Sequence, residues 1–320
     1  MNKAFLYSLV FTALISCSRN QDDEALPPEL TAIESYLDSL AIDAIIDSSG
    51  VYAYPIISDS TAKTQDEGDV LRFFYTLSVF DGEIIDVKDS LDTDTTVVRQ
   101  GVNAIYPIGV DVALSYLKEG EKWGFIIPSN MGFGSFGYSN LIPANATLMM
   151  EIELISITSE QKIQNHELVL IDTYVESSDI EDTTKVPLEP PIELAGGMIY
   201  KKLKQGSGST PALGNLVSLT YEGRFLDSTV FDRRPNADFF EFYFGEESLI
   251  QGFEIGVSRM LAGERALLIM PSSLAYRESA TIIPEFLTDE MVELEIIPAY
   301  AAKVGPYRPL IFEIELLSIE

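Results

Sequence analysis

The residue types that usually carry nucleophilic, redox or metal chemistry are almost absent from this 320-residue chain, which has one histidine, His166, and one cysteine, Cys17. A Ser–His–Asp system would have to use His166, and a zinc site built on two or more histidines is excluded. A single cysteine excludes an intrachain disulfide and any Cys-x-x-Cys pair. We therefore predict no metal and no cofactor.

The charge balance excludes a further class of function. The chain carries 50 Asp and Glu residues against 21 Lys and Arg residues, a formal net charge of −29. Nucleic-acid binding needs clustered basic residues that contact phosphates, so we predict no nucleic-acid partner. Hydrophobic residues make up 46% of the chain, and its length suggests two folded domains of about 100–200 residues each.

The one cysteine stands where an apolar N-terminal run stops. Lys3 precedes an apolar stretch, residues 4–15, that is too short to span a bilayer as a mature helix. The run ends in Leu-Ile-Ser-Cys, which resembles the bacterial lipobox, whose cysteine becomes the lipidated first residue of the mature protein. An ordinary signal peptide with an incidental cysteine is the alternative. We predict a lipoprotein signal peptide at residues 1–16, lipidation at Cys17 and an acidic tether at residues 17–29.

This resemblance implies a location. Several acyl chains on Cys17, each contributing about 0.8 kcal/mol per buried CH₂ group, would anchor a soluble body durably to a membrane. We therefore expect a lipid-anchored protein of the bacterial cell envelope, on the outer membrane and facing either the periplasm or the cell surface.

The rest of the chain contains one long repeat. Two segments end alike, residues 151–157 with the sequence EIELISI and residues 313–319 with the sequence EIELLSI. Upstream of each lies a Gly-Glu-Lys or Gly-Glu-Arg turn followed by a Pro-Ser pair. Still further upstream, the spacing of Tyr75 and Asp86 recurs in the second copy. Two long copies indicate a tandem domain pair, because a solenoid needs more and shorter repeats.

Each copy has the pattern of strands around one short helix. In the second copy, Val217, Leu219 and Tyr221 alternate with polar residues, a period typical of half-buried strands in an antiparallel sheet. Apolar residues at helical spacing between residues 250 and 260 are followed by Gly263, a typical helix stop. The fold class is therefore predicted as α+β. The predicted domains are residues 30–158 and 191–320, joined by a helix and linker at residues 159–190, with an insert in the second at about residues 278–303.

Several motifs of the second copy match one known family. They are YEGRFLDSTVFD at residues 221–232, IQGFE at 250–254, Gly-Glu-Arg at 263–265, Ala275-Tyr276 and Leu-Ile-Phe at 310–312. Together they resemble FKBP-type peptidyl-prolyl cis-trans isomerases, over about residues 195–320 and more loosely over residues 48–158. For each copy the resemblance implies a curved antiparallel β-sheet half-barrel wrapped around a short α-helix, with a shallow apolar pocket between them.

The activity of that family is rotation about the X–Pro peptide bond. Amide conjugation makes the barrier about 20 kcal/mol, and lowering it requires no nucleophile, metal or proton transfer. A pocket need only prefer the twisted amide, whose carbonyl is less polar than that of the planar ground state. Each preference of about 1.4 kcal/mol is equivalent to a tenfold rate increase.

The resemblance assigns roles to nine residues of the second copy. Seven would form the walls and floor of a cup for the proline ring: Tyr221, Phe231, Phe240, Leu249, Ile250, Phe253 and Phe312. Phe253 stands where the family usually has tryptophan. Asp232 would lie at the rim and orient the dipole of the substrate carbonyl, and Tyr276 would donate its hydroxyl to a peptide carbonyl. The alternative is that these aromatic residues are ordinary core.

The second copy departs from the family after Tyr276. Arg277 replaces the family's glycine, and the loop that caps the pocket is replaced by the insert, which holds two Ile-Ile-Pro runs. The insert is long enough to act as a lid, to bind a partner or to block the cup.

The first copy keeps the framework but loses much of the cup. It retains Tyr75 and Asp86, and at four other cup positions it has Ile85, Val110, Phe133 and Met150. Phe133 lacks the hydroxyl of the family's tyrosine. We therefore expect weak or no isomerase activity there, and a role in chaperone-like binding or scaffolding.

Two functions remain. The first is an exported lipoprotein isomerase that assists the folding of proline-containing polypeptide clients outside the cytoplasm through the second copy. The alternative is a non-catalytic FKBP-fold binding or assembly subunit of a cell-envelope complex, because a fold does not fix a function. The nearly complete second cup favours the first, and the eroded first cup and the insert favour the alternative.

Overall fold

The computed structural model describes residues 28–92, 95–138, 141–178, 190–246 and 249–320. The predicted signal peptide, Cys17 and residues 18–27 of the predicted tether lie outside these ranges. The described residues form two compact units, one up to Ala41 and the other from Ile42 onward. In the first unit, helix α1 spans Pro28–Ser39. It begins before the predicted end of the tether, because proline suits the first helical position, where no N–H is needed.

The first domain is one antiparallel sheet with a short helix. Its elements are β1 (Ile45–Ile46), β2 (Tyr52–Ile57), β3 (Val70–Val79), β4 (Ile84–Lys88), β5 (Thr96–Arg99), β6 (Ile105–Tyr106), α2 (Gly109–Leu114), β7 (Lys122–Ile127) and β8 (Leu148–Thr158). The strands of the sheet lie in the order β1-β2-β7-β8-β3-β4, with β5 also paired to β3. Strand β6 lies outside this sheet.

Helix α3 (Glu160–Ser177) follows, and the second domain comes after it. Its elements are β9 (Ile192–Leu194), β10 (Met198–Lys204), β11 (Leu216–Phe225), β12 (Val230–Arg234), β13 (Phe240–Tyr243), α4 (Gln251–Val257), β14 (Arg265–Met270), β15 (Thr281–Ile282), α5 (Thr288–Glu293) and β16 (Leu310–Ile319). Five 3₁₀ turns occupy Ala195–Gly197, Asn236–Asp238, Ser272–Leu274, Glu285–Leu287 and Ala299–Ala302.

The two sheets share one topology. The second runs β9-β10-β14-β16-β11-β12, with β13 also paired to β11, which repeats the order of the first sheet strand for strand. In both domains the short helix, α2 or α4, precedes the strand that pairs with the closing one. The predicted α+β fold with two copies of one antiparallel architecture is therefore confirmed.

The repeated Gly-Glu turn has a structural reason in each domain. Gly120 and Gly263 both adopt positive φ angles, +83° and +77°, which glycine tolerates best. The next residue is a buried glutamate whose carboxylate accepts hydrogen bonds from local groups: Glu121 from the Lys118 N–H at 3.0 Å, and Glu264 from the Leu261 N–H at 3.2 Å. The motif therefore fixes the tight entry into β7 and β14.

The core of each domain lies between the short helix and one face of the sheet. In the second domain, Phe253 and Val257 of α4 are buried against Leu268 and Ile314 of the sheet. A Cβ at Gly256 would collide with the Leu268 side chain, so glycine lets the helix approach the sheet closely. This contact places α4 directly against the sheet, where Phe253 lies next to Phe312 of β16.

Helix α3 covers the other face of the second sheet. Its residues Ile171 and Val175 pack with Leu267, Ile269 and Ile311, which point away from α4 because successive strand residues alternate in direction. The helix is also held by the buried Glu167 carboxylate, which accepts hydrogen bonds from Ser272.

Candidate functional site

The structure gathers all nine predicted residues of the second domain around one cavity of about 560 Å³. Strands β11, β12, β13 and β16 supply five of them: Tyr221, Phe231, Asp232, Phe240 and Phe312. Leu249 and Ile250 precede α4, Phe253 lies within it, and Tyr276 follows the turn after β14. We call this set the second cup.

The aromatic rings of the second cup hold one another edge to face. The Tyr221 ring lies 5.9 Å from the ring centroids of both Phe253 and Phe312, and the Phe253 and Phe312 rings are 5.5 Å apart at 84°. Such T-shaped pairs are favoured by the ring quadrupoles and fix the ring orientations. Gly223 lets the Phe231 ring pack this closely against the strand, because a Cβ at position 223 would lie 2.7 Å from Cζ of Phe231. The result is an apolar surface of closely packed rings along one side of the cavity.

Asp232 is fixed at the rim of the cup by two donors. The Tyr221 hydroxyl donates to Oδ2 at 2.7 Å, and the Lys303 ammonium donates to Oδ1 at 3.0 Å. Burial raises the pKa of Asp232, but the hydrogen bonds from Tyr221 and Lys303 outweigh it and hold that pKa below the usual value. The carboxylate is therefore ionised at neutral pH.

Tyr276 presents its hydroxyl to the same cavity. Burial, followed by the nearby Asp232 and Tyr300, raises the pKa of Tyr276, so the phenol stays protonated. Its hydroxyl has no hydrogen-bond partner among the residues that the structure describes. The group is therefore available to donate to a carbonyl that enters the cup.

Seven further residues complete the lining of the cavity: Gln251, Ser273, Leu274, Ala275, Arg277, Glu278 and Tyr300. Tyr300 belongs to the insert, and its ring stacks on the Tyr276 ring with 4.5 Å between centroids and 21° between planes. Neither Tyr300 nor Lys303 was predicted. No sequence spacing could have indicated them, because the insert has no counterpart in the first copy.

The equivalent set in the first domain, which we call the first cup, keeps the same rim contact. The Tyr75 hydroxyl donates to Oδ2 of Asp86 at 2.6 Å. Val110, Phe133 and Met150 are all buried in the core of this domain. The hydroxyl that Tyr276 supplies in the second domain is missing here, because Phe133 stands in its place.

The insert of the second domain packs against the first cup. Four of its side chains are buried in the same apolar cluster as the first-cup residues: Ile282, Ile283, Leu287 and Met291. Strand β15 pairs in parallel with β6, and the Ile283 N–H donates to the Tyr106 carbonyl at 2.9 Å. Burial of each such side chain contributes about 1.5–3 kcal/mol, so this contact is substantial. The insert therefore packs against the first domain, while the second cup retains its cavity.

Within the described ranges, no group of three or more His, Cys, Asp or Glu side chains is placed to hold a metal ion. The same ranges contain no helix that is both long and apolar enough to cross a membrane.

Comparison with known proteins finds one family. The sequence model of FKBP-type peptidyl-prolyl cis-trans isomerase matches residues 61–155 and 207–317. The peptidyl-prolyl cis-trans isomerase FKBP9 of Rattus norvegicus is 29% identical over 225 residues, which cover 69% of this chain and 33% of that protein. A probable FKBP-type isomerase, FkpA of Neisseria meningitidis serogroup B, is 33% identical over 125 residues, 39% of each protein. The chain thus spans about a third of the length of the first of these relatives.

Among solved structures, the three FKBP domains of wheat FKBP73 match 85% of this chain and 96% of that one, with 21% identity and a TM-score of 0.33. The fold assignment rests on the shared strand order of the two sheets and on the match of both repeats to the sequence model.

Proposed function

Because the chain belongs to the FKBP-type peptidyl-prolyl cis-trans isomerase family, as the match to both repeats shows, we propose that its second domain catalyses rotation about X–Pro bonds of polypeptides. The observation that carries this proposal is the second cup. An open apolar cavity of about 560 Å³ is bordered by an aromatic wall, an ionised carboxylate and a protonated phenol. An apolar wall with a fixed donor and a fixed dipole can favour a twisted prolyl amide over the planar one.

The cup can act on the amide in two ways. The proline ring enters against Phe253 and Phe312, and water that would stabilise the planar, dipolar amide is excluded. The Tyr276 hydroxyl donates to a carbonyl of the bound peptide, while Asp232 orients the carbonyl dipole that changes as the amide twists. Both groups are preorganised, so little reorganisation accompanies the rotation.

The first domain contributes no catalysis in this proposal. The insert packs against its cup, and Phe133 cannot donate a hydrogen bond. Clients therefore reach only the second cup.

The activity is tested on the full mature chain, residues 17–320. Exchange NMR on short X–Pro peptides should show isomerisation well above the uncatalysed rate. Phe253→Ala, which removes the floor, should lower kcat/KM by about tenfold or more, and Tyr276→Phe should lower it by roughly three- to tenfold, the value of one hydrogen bond. Phe136→Ala, which alters an exposed ring of the first domain, is the matched control and should leave the rate unchanged. A folded chain without catalysis would overturn the proposal.

We further propose that the mature chain starts at a lipidated Cys17 and acts in a bacterial cell envelope on proline-containing polypeptides during their folding. The lipobox-like end of the apolar run supports this. In a bacterial host, the wild-type chain should incorporate labelled palmitate and sediment with membranes, and Cys17→Ser should do neither. Equal membrane association of both forms would contradict the anchor, and the ordinary signal peptide would then apply.

One observation supports the non-catalytic alternative. The first domain binds a segment of this same chain, the insert, next to its cup. If the wild-type chain binds X–Pro peptides without accelerating their exchange, the second cup is a binding site and this alternative is favoured.

A further inference from the structure

The insert leaves the second domain, enters the first and returns. Its two ends are tied together at the second domain, where the Ser279 hydroxyl donates to the Val304 carbonyl at 2.7 Å and the Tyr307 N–H donates to the Arg277 carbonyl at 2.7 Å. Between these ties lies the tip, which we define as residues 281–291. A single closed loop therefore contacts both domains.

The tip is fixed in the first domain by both backbone and side chains. The Thr281 N–H donates to the Ala104 carbonyl at 2.8 Å, and the Thr281 hydroxyl donates to the Val97 carbonyl at 2.8 Å. The Ile283 and Met291 side chains are 1% and 0% exposed. These side chains are as buried as those of the domain core, so exposing them to water would be unfavourable.

The return arm of the insert reaches the second cup. The short turn Ala299–Ala302 and the hydrogen bond from the Lys303 N–H to the Tyr300 carbonyl, 2.9 Å, set the spacing of these two side chains. Tyr300 stacks on Tyr276, and Lys303 pairs with Asp232. The two contacted residues are the two polar groups of the proposed site.

We propose that Tyr300 and Lys303 are positioning residues of the second cup, and that the tip, held in the first cup, keeps them in place. The inference rests on the proposed isomerase function. It gives the degenerate first domain a defined part in the reaction, as the anchor of the loop that completes the site.

The physical effect of each residue is local. The stacked Tyr300 ring restricts rotation of the Tyr276 ring and so directs its hydroxyl into the cavity. The Lys303 ammonium holds the Asp232 carboxylate through a charge-assisted hydrogen bond. Both act on groups that face the twisting amide, whereas affinity for the proline ring is set by the aromatic wall. Their loss should therefore lower kcat and leave KM nearly unchanged.

The first experiment measures kcat and KM by exchange NMR on the full mature chain. Tyr300→Ala and Lys303→Met should each lower kcat by about two- to tenfold, the range that one aromatic or charged pair contributes. Tyr300→Phe and Lys303→Arg, which preserve stacking and charge, should retain the wild-type kcat. Equal kcat in all four variants would overturn the positioning role while leaving the proposed isomerase function intact.

The second experiment tests the anchor without relying on catalysis. The ring signal of ¹³C-labelled Tyr276, assigned through Tyr276→Phe, should shift in Tyr300→Ala because the neighbouring ring current is lost. Ile283→Ala and Met291→Ala, which loosen the tip far from this ring, should shift the same signal and lower kcat severalfold. Phe286→Ala, an exposed ring on the same tip, is the control and should change neither.

An unchanged Tyr276 signal in folded Ile283→Ala and Met291→Ala would overturn the anchor. The Tyr276 signal is recorded without substrate. A chain that shows the expected shifts but no isomerisation would therefore refute the proposed isomerase function and leave the anchoring role of the tip intact.

Discussion

At the scale of single residues, the two polar groups of the second cup have fixed protonation states near neutral pH: Asp232 is deprotonated and Tyr276 is protonated. Asp232 has a lowered pKa and Tyr276 a raised one, so the pair stays as carboxylate and phenol over a wide pH range. A site that works by solvation and orientation needs no group that titrates near neutrality, which agrees with the scarcity of histidine in the chain.

This pair predicts the pH dependence of the reaction. The rate constant should be flat between about pH 5 and 9, because the ordinary pKa values of Asp and Tyr, about 3.9 and 10, move outward in the folded chain. The pKa of Asp232 is lower in the folded chain than in the unfolded chain. The contribution of Asp232 to stability is therefore fully present above its unfolded-state pKa and is lost as the pH falls through its folded-state pKa. Exchange NMR across pH checks this. A maximum or a step near pH 6–7 would contradict it.

The residues of the second cup could be predicted because each stands in, or a few positions from, a strand or helix whose spacing the family shares. Tyr221 and Asp232, for example, are eleven positions apart and meet through the β11–β12 pairing. Tyr300 and Lys303 could not be predicted, because their position depends on where the tip binds. That contact joins Ile283 to Tyr106, which lie far apart in the sequence.

At the scale of elements, α3 is a structural part of the second domain. Its buried Glu167 accepts hydrogen bonds from the Ser272 N–H at 2.9 Å and from the Ser272 hydroxyl at 2.7 Å. Burial raises the pKa of Glu167 more than these hydrogen bonds lower it; His166 lowers it further and Glu160 raises it. The folded chain therefore binds a proton at Glu167 more readily than the unfolded chain does.

Glu167→Gln should accordingly change the pH dependence of stability. A raised folded pKa means that the contribution of Glu167 to stability is present at low pH and declines as pH rises from the unfolded value, about 4.5, through the folded one. Glutamine cannot ionise, so the Tm of Glu167→Gln minus that of the wild type should increase from pH 4 to pH 7. Glu176→Gln, at an exposed position of the same helix, should show no such trend. A difference that is constant with pH would refute the explanation.

The strands and short helices could be predicted from their periodicity, and β16 illustrates why. Its residues Phe312, Ile314 and Leu316 are buried and alternate with the more exposed Glu313 and Glu315. Strand β15 gave no such signal, because two residues show no period and its partner β6 lies in the other domain. The pairing arises from tertiary contact alone.

At the scale of the whole molecule, the repeat predicted two domains of one architecture but not how they interact. The insert joins them through its buried tip, and Arg99 of the first domain adds an ion pair with Glu278 at 3.9 Å. Residues 42–320 accordingly form one compact unit. The contact should couple the stabilities of the two domains.

Urea unfolding can measure this coupling. The single tryptophan, Trp123, lies in β7 and reports on the first domain. Leu287→Ala removes a buried side chain of the second domain's insert and should lower the free energy of unfolding seen by Trp123 by about 2–4 kcal/mol. Leu294→Ala, an exposed leucine of the same insert, should have little effect. Equal midpoints for both variants would show that the tip does not stabilise the first domain.

The burial of the insert in the first domain also determines which fragments of the protein can be studied alone. A fragment that begins after α3 would still carry the insert but would leave Ile282, Ile283, Leu287 and Met291 facing water, together with the unpaired edge of β15. Such an apolar arm favours self-association and indiscriminate adhesion to unfolded chains. Holdase activity measured on the isolated second domain would therefore result from the truncation. In the intact chain, the first domain covers this apolar surface.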